Sequence, residues 1–245
     1  MNSIARAPKE SDLIAYTTAA NSNRLQTVSG PVAKTYTYDA AGNPKSDGQT
    51  TFTWNAGGKL ASTLRSGKIH TYKTNAFDQR ISKHGPLSQR FFFFYDSTGQ
   101  LIGEYRNNAE TTTPTDDWLV RQETVWLGDI PVAVIKKPTA TSTIQLYYVY
   151  ADHLNTPRVI VNSRNTTIWR WDNVHAFGAN LPDENPDGNS QLFEYHPRFP
   201  GQYFDKETNL HYNYFRYYEP ETGRYISPDP IGLAGGLNTY GYVEQ

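Results

Sequence analysis

"YTYDAAGN", Tyr36 to Asn43, decides the fold. Tyr36 and Tyr38 stand two residues apart and so share one face of a strand, where flat rings cover a neighbour. Asp39, two alanines, Gly42 and Asn43 then supply turn chemistry: the Asx side chain bonds its own backbone, and Gly takes positive φ without steric cost. The phrase returns along the chain. "FTWNAGGK" (Phe52 to Lys59) and "FFYDSTGQ" (Phe93 to Gln100) keep its form, while "YKTNAFDQ" (Tyr72 to Gln79) keeps the first aromatic and the Asn-Ala step. The third-position residues Tyr38, Trp54, Thr74 and Tyr95 are 16, 20 and 21 residues apart, an irregular period that marks one supersecondary unit used repeatedly. Each unit is predicted to be a strand, a tight turn and a returning strand, with "KLASTL" after Gly58 and "QLIGEY" after Gly99 as two returns. A lone hairpin cannot bury its face, so the units must stack.

Composition agrees with an all-β chain. Tyr occurs 18 times, and 18 Gly and 15 Pro are spread along 245 residues, which favours many short strands and tight turns. There is no Cys, which removes disulfide frameworks, thiolate zinc sites and cysteine nucleophiles together. The net charge is -1 and the 23 Lys and Arg are scattered, with no stripe that would follow a phosphate backbone, so nucleic acid is not an expected partner. The start, "MNSIARAPKESD", lacks the apolar core of a signal peptide, and "FFFF" and "IPVAVI" are too short to span a bilayer.

From Val125 the pattern changes, to "VWLGDIPVAVI" and then "YVYADHLNTPRVIVNSRNTTIWRWDNVHAFG". "RFPGQYFDKETNLHYNYFRYYEPETGRYISPDPIGLAGGLNTYGYV" follows, Arg198 to Val243. In these phrases the chain resembles the Rhs/YD-repeat family, named for a Tyr-Asp pair present here at Tyr38-Asp39 and Tyr95-Asp96. His153 to Arg158 and Trp169 to Gly178 are similar to the HLxTPR phrase, WxW strand and Phe-Gly turn that close the repeat region in Rhs proteins. Arg198 to Val243 is similar to the Rhs core-associated signature, and the resemblance covers roughly Tyr36 to Val243. The motif positions are Tyr38, Asp39, Gly42, Tyr95, Asp96 and Gly99 in the repeats, then His153, Pro157 and Arg158. In the last stretch they are Gly201, Tyr218, Gly223, Pro230, Gly232, Gly235, Gly236 and Asn238.

The resulting fold is all-β: antiparallel hairpin repeats forming part of a curled sheet or shell, with an irregular Pro/Gly-rich C-terminal plug. The chain divides into an N-terminal segment at 1–30, expected to be partly disordered, hairpin repeats at 31–124, and a closing region at 125–245. "YYEPETGRY" reads as a type I turn with Pro220 at its second position. A helical turn is expected at "LNTYGYV", and "ANLPDENPDGNS", Ala179 to Ser190, reads as a mobile surface loop.

The resemblance implies an autoproteolytic aspartate activity that cuts after a second DPxGL phrase. The matching first phrase is "DPIGL", Asp229 to Leu233. Aspartate chemistry needs two carboxylates sharing a proton. Only Asp229 is evident, with no Asp or Glu from Pro230 to Val243, and the chain ends at "YVEQ" before a second DPxGL. It is therefore expected not to be an enzyme as it stands, with Asp229 an Asx-Pro turn residue here and a catalytic acid only within a longer parent. Arg224 is a candidate to orient that carboxylate by a bidentate pair.

Other chemistry is weaker. His70, His84, His153, His175, His196 and His211 show no metal-binding spacing, so neither metal nor cofactor is expected, and His153 is assigned to fixing the "HLNTPR" turn. Ser227 lies outside any GxSxG context, and "AGGK" at Ala56 to Lys59 is a repeat turn, not a phosphate loop.

The resemblance implies a hollow bacterial shell that encapsulates a toxic C-terminal region and serves competition between cells. This chain would be the wall and plug at its end. The implied partners are the toxin, the rest of the shell and a secretion-system component, with a secreted or cell-surface location for the whole parent. The alternative is a cell-surface adhesion module that stacks a glycan on Tyr36, Tyr38, Phe52, Trp54, Tyr95, Trp169 and Trp171. An incomplete shell would leave an open strand edge, and "RFFFFYD" is the apolar run expected to make the isolated chain associate unless the N-terminal 30 residues cover that edge.

Overall fold

The computed structural model describes residues 14–87, 89–107, 118–137, 142–172 and 174–242. Three strands open it: β1 (Ala15–Thr18), β2 (Leu25–Ser29) and β3 (Lys34–Thr35). The repeats supply β4 (Thr37–Tyr38), β5 (Pro44–Ser46), β6 (Thr50–Trp54), β7 (Leu60–Arg65), β8 (Lys68–Thr74), β9 (Arg80–His84), β10 (Arg90–Tyr95) and β11 (Leu101–Asn107). Without a break the same sheet takes in β12 (Trp118–Leu127), β13 (Ile130–Lys136), β14 (Gln145–Ala151), β15 (Pro157–Val161) and β16 (Thr167–Arg170). Every neighbour in this 13-stranded sheet is the next strand in sequence, and every pair is antiparallel. A separate four-stranded sheet closes the chain: β17 (Gln202–Asp205), β18 (Leu210–Asn213), β19 (Arg216–Glu219) and β20 (Arg224–Tyr225).

One turn device builds the meander. Asp39 accepts the Asn43 N–H at 2.8 Å on Oδ1 and donates its own N–H to the Asn43 carbonyl at 2.9 Å. The same pair of bonds recurs at Asn55 with Lys59, Asn75 with Gln79 and Asp96 with Gln100. It also occurs at Asp152 with Thr156 and Asn162 with Thr166, where no aromatic repeat phrase announces it. The fourth residue of each turn is left-handed: Gly42, Gly58, Asp78, Gly99, Asn155 and Asn165 all have positive φ. A register shift just before each Asx adds the twist of a bulge.

The four-stranded sheet lies on one face of the meander. Phe52, Leu60, Tyr72 and Phe93 from the meander bury against Tyr203, Leu210, Tyr212, Tyr217 and Ile226. Farther along, Val134, Val149, Ile160, Ile168, Trp169 and Trp171 bury against Phe193 and Tyr195. Leu25, Val28 and Tyr36 form a third, smaller cluster.

Several expectations are corrected here. "RFFFFYD" is no edge: β10 is paired on both sides, with β9 and β11. The outer strand at the N-terminal end is β1, all of whose residues are exposed, whereas β16 is covered by mutual backbone bonds between Arg170 and Asp183 at 2.9 and 2.8 Å. Val125, where the sequence pattern changes, lies within β12, and the sheet continues through it. The helical turn is a 3-10 turn at Gly232–Gly235, just before "LNTYGYV"; Asn238 instead forms a side-chain turn, its Oδ1 accepting the Tyr240 N–H. Of 1–30, residues 1–13 lie outside the described residues, while 14–30 contain β1 and β2. In 179–190, Asp183 is bridged to β16, and the Glu184 carbonyl accepts the Phe193 N–H at 2.8 Å.

Candidate functional site

The centre of the molecule is a charge cluster between the two sheets. Asp205 ends β17 with its side chain withdrawn from water, and Arg80 and Lys83 of β9 reach it from the meander. Arg80 Nη1 lies 2.5 Å from Asp205 Oδ2, and Lys83 Nζ 2.9 Å from Oδ1. Lys83 also meets Glu207 at 3.2 Å, whose second oxygen accepts the Tyr72 hydroxyl at 2.9 Å. Burial pushes the Asp205 carboxyl up, but Arg80 and Lys83 pull it down further, and the net shift is downward.

Arg80 Nε and Nη2 meet no acceptor. Aromatic faces surround the guanidinium instead, with ring centres of Tyr212 at 4.4 Å, Phe93 at 4.9 Å, Tyr203 at 5.1 Å and Tyr72 at 5.6 Å.

Smaller fastenings surround this cluster, and two of them seat on repeat turns. The Tyr240 hydroxyl donates to the Gly42 carbonyl at 2.8 Å, and that of Tyr214 to the Gly99 carbonyl at 2.9 Å. A Cβ on Gly42 would lie 2.7 Å from the Tyr240 oxygen, so this glycine is required by contact as well as by its φ of +92°. At the N-terminal end Glu219 of β19 takes Lys34 Nζ at 2.5 Å and the Tyr36 hydroxyl at 2.7 Å. Arg65 Nη1 donates to the Thr208 carbonyl at 2.7 Å.

The DPIGL segment is a compact loop. Asp229 Oδ1 accepts the Ile231 N–H at 3.0 Å, an Asx turn across Pro230, and Oδ2 pairs with Arg216 at 3.0 Å. Arg216 stacks on Tyr225, its guanidinium carbon 3.6 Å from the ring centre. Gly235 presses on the carboxylate, for a Cβ there would lie 2.8 Å from Oδ2. Gly232 and Gly236 flank that contact at the two ends of the 3-10 turn. Arg224 therefore does not orient Asp229: it donates to the Asn23 carbonyl and lies over Tyr240, because β20 turns it toward the N-terminal strands.

The "HLNTPR" turn is fixed by Asp152, not by His153, which is exposed and makes no hydrogen bond among the described residues. Arg158 holds the Asp152 carboxylate at 2.7 Å and lies over Trp171, beside buried Pro157. Tyr38 donates to the Leu25 carbonyl at 2.8 Å, and Tyr95 to that of Arg80 at 3.0 Å. Gly201 abuts Tyr214, Gly223 lies under Phe177, and Tyr218 is buried with its hydroxyl on the Phe177 carbonyl at 3.1 Å. The seven rings proposed as a glycan platform are all buried or half-buried, so the packing they provide is internal. Ser227 is buried. Among the described residues no trio of His, Asp or Glu is placed to hold a metal ion, and no helix is long and apolar enough to cross a membrane.

Sequence reasoning missed Arg80, Lys83, Asp205, Lys34 and Glu219. A trace was present: "QYFD" sets a carboxylate directly after two aromatics, and "RISKH" sets two cations just after a turn.

A tandem-hairpin sheet with a second, four-stranded sheet clamped on its face by buried charges is the class that fold and site define. No protein-family model matches the chain. It is 40% identical over 105 residues to YibJ of Escherichia coli, covering 43% of each protein. It is 30% identical over 192 residues to the toxin protein Tse5 of Pseudomonas aeruginosa, covering 70% of this chain and 14% of Tse5. To RhsB of Dickeya dadantii it is 36% identical over 193 residues, covering 73% of this chain and 13% of RhsB. The chain is thus a homologue of the Rhs-type toxin proteins, and it spans less than half the length of these relatives. Among solved structures, the crystal structure of TcdB2-TccC3 superposes with a TM-score of 0.65 at 21% identity, over 94% of this chain and 13% of that one. The Photorhabdus luminescens Tc holotoxin pore gives a TM-score of 0.63 at 19% identity, over 94% and 12%. This second likeness is one of fold.

Proposed function

We propose that the chain is a wall segment and end plug of an Rhs toxin-encapsulating protein, with residues 125–245 as its closing and core-associated region. The observation that carries this reading is the buried Arg80–Asp205–Lys83 cluster. It fastens the four-stranded sheet to one face of the hairpin meander, as a plug must be fastened if it is to hold a wall closed. The toxin region, the rest of the shell and a secretion-system component are the partners of this reading, and the complete protein acts outside the cell that makes it. The described residues serve structure rather than turnover. Within a longer parent, Asp229 is the carboxylate that would take part in cleavage after a second DPxGL phrase, held by Arg216.

The test fuses a segment bearing a second DPxGL phrase to the C-terminus and weighs the product by intact mass spectrometry. Cleavage that Asp229→Asn abolishes supports the reading of a shell that releases its cargo. A fusion that stays whole makes the DPIGL loop structural here and removes release from the proposal.

A further inference from the structure

One end of the meander gathers positive charge. Arg106 of β11, Lys136 and Lys137 at the end of β13 and Arg164 in the turn between β15 and β16 line one groove of about 1000 Å³, together with Arg121 of β12. Its other wall is "NSQLFE", Asn189 to Glu194. These cations are far apart in sequence and meet because every second turn of an antiparallel meander returns the chain to the same end of the sheet.

Two carboxylates stand against the five cations, and both are already engaged. Glu194, in the wall, is shared by Arg121 and Lys206, and Glu104 takes Arg121 Nε at 2.8 Å. Arg106, Lys137 and Arg164 have no ion pair and no side-chain hydrogen bond among the described residues, and Arg106 and Arg164 are exposed. Lys136 feels the surplus: its ammonium donates to the Glu194 carbonyl at 2.6 Å, and burial with Arg121 nearby pushes it down to about 8.

The shape of the groove narrows the partner. Its cations are spread over strands β11 to β15, about 15–20 Å at the usual strand spacing. A single small anion cannot reach both ends, whereas an extended peptide of about six residues can. Ile144 and Leu192 stand 70% and 68% exposed in the wall, so the partner that fits carries aliphatic side chains beside its acids. Nucleic acid would find the charge without a stacking platform. Phe193 is covered by Lys136 at 3.7 Å and edge-packed by Tyr147 at 4.8 Å, and Tyr148 projects from the opposite face of β14 to Tyr147.

We propose that this groove is a docking site for an extended acidic peptide segment with aliphatic side chains, in which Arg106, Lys137 and Arg164 meet its carboxylates and Ile144 and Leu192 its apolar residues. The site does not rest on the encapsulation reading. The test measures, by fluorescence anisotropy, binding to the whole chain of a short labelled peptide of alternating glutamate and leucine, beside its lysine–leucine counterpart and a thymidine oligonucleotide of equal length. Saturable binding of the acidic peptide is expected, tighter than either comparison and weakening as salt rises. Arg106→Glu with Arg164→Glu reverses two exposed, unpaired charges, and should weaken that binding about tenfold or more while leaving the unfolding temperature unchanged. The proposal is overturned if the acidic peptide shows no saturable binding, if the oligonucleotide binds as tightly, or if the charge-reversed chain binds the peptide undiminished.

Discussion

Arg80 and Asp205 are 125 residues apart in sequence and 2.5 Å apart in the fold, and both side chains are withdrawn from water. One belongs to the hairpin meander and the other to the sheet that docks on it. Bringing them together costs desolvation of both charges, which the lysine at 2.9 Å and the four rings around the guanidinium offset. Such a pair specifies where the second sheet sits more than it adds to stability, because any other docking would leave three buried charges unmatched.

Asp205→Asn is accordingly expected to be strongly destabilising, by about 3–5 kcal/mol, since it strands Arg80 and Lys83. Replacing all three together, Arg80→Met, Lys83→Met and Asp205→Leu, should cost much less than the single change. Urea unfolding of the variants measures both; a single change as mild as the triple one would show that the cluster is not coupled.

Mild acid is expected to loosen the docked sheet. His196 and His211 are buried, and burial holds both well below the usual histidine range, with Arg198 near both and Arg121 and Lys83 adding to the effect at His196. In the unfolded chain each would titrate near 6.5. Above that pH both states are neutral and the full stability is present. As pH falls below about 6.5 the unfolded state takes up protons that the fold refuses, and stability drops by up to about 1.4 kcal/mol per pH unit for each histidine. Unfolding midpoints between pH 7.5 and 5 should fall with the double change His196→Gln, His211→Gln flattening the curve; an unchanged slope in that variant would place the effect elsewhere.

Turn glycines should differ according to what touches them. Gly58 has a φ of +72° and no atom within 4 Å of an added Cβ, so Gly58→Ala should cost only the backbone strain, about 1 kcal/mol. Gly42→Ala meets the Tyr240 hydroxyl at 2.7 Å as well, and should cost about 2–3 kcal/mol and break that hydrogen bond. Equal losses in denaturant midpoint would mean that Tyr240 does not bear on the turn.

The DPIGL loop should open on its own when its carboxylate is crowded. Gly235→Ala drives a methyl against Asp229 Oδ2 and should part Asp229 from Arg216. Limited proteolysis is expected to cut between Asp229 and Gly236 in this variant while strand signals stay unchanged; a loop as resistant as the parent's would contradict the cradle.

The repeat phrase made the hairpins legible because its turn is local: an Asx side chain, a left-handed fourth residue and a bulge all lie within six residues. It under-counted them, since Asn155 and Asn165 take the left-handed position that Gly fills in three of the repeat turns and no aromatic stands immediately before Asp152 or Asn162. The resemblance misassigned Arg224, because five residues of sequence separation from Asp229 do not tell which way a short strand turns its side chain. Arg216, farther away, holds the carboxylate instead.

Short-range chemistry, written in the sequence itself, thus determined an all-β chain of consecutive antiparallel hairpins. Periodicity cannot say which polar residues of those strands are buried, nor which face receives the second sheet. Arg80 and Lys83 look like surface charges until a sheet more than a hundred residues later, carrying Asp205, covers them. Tertiary structure alone decided that, because burying a charge requires its partner, and here the partner comes from another part of the chain.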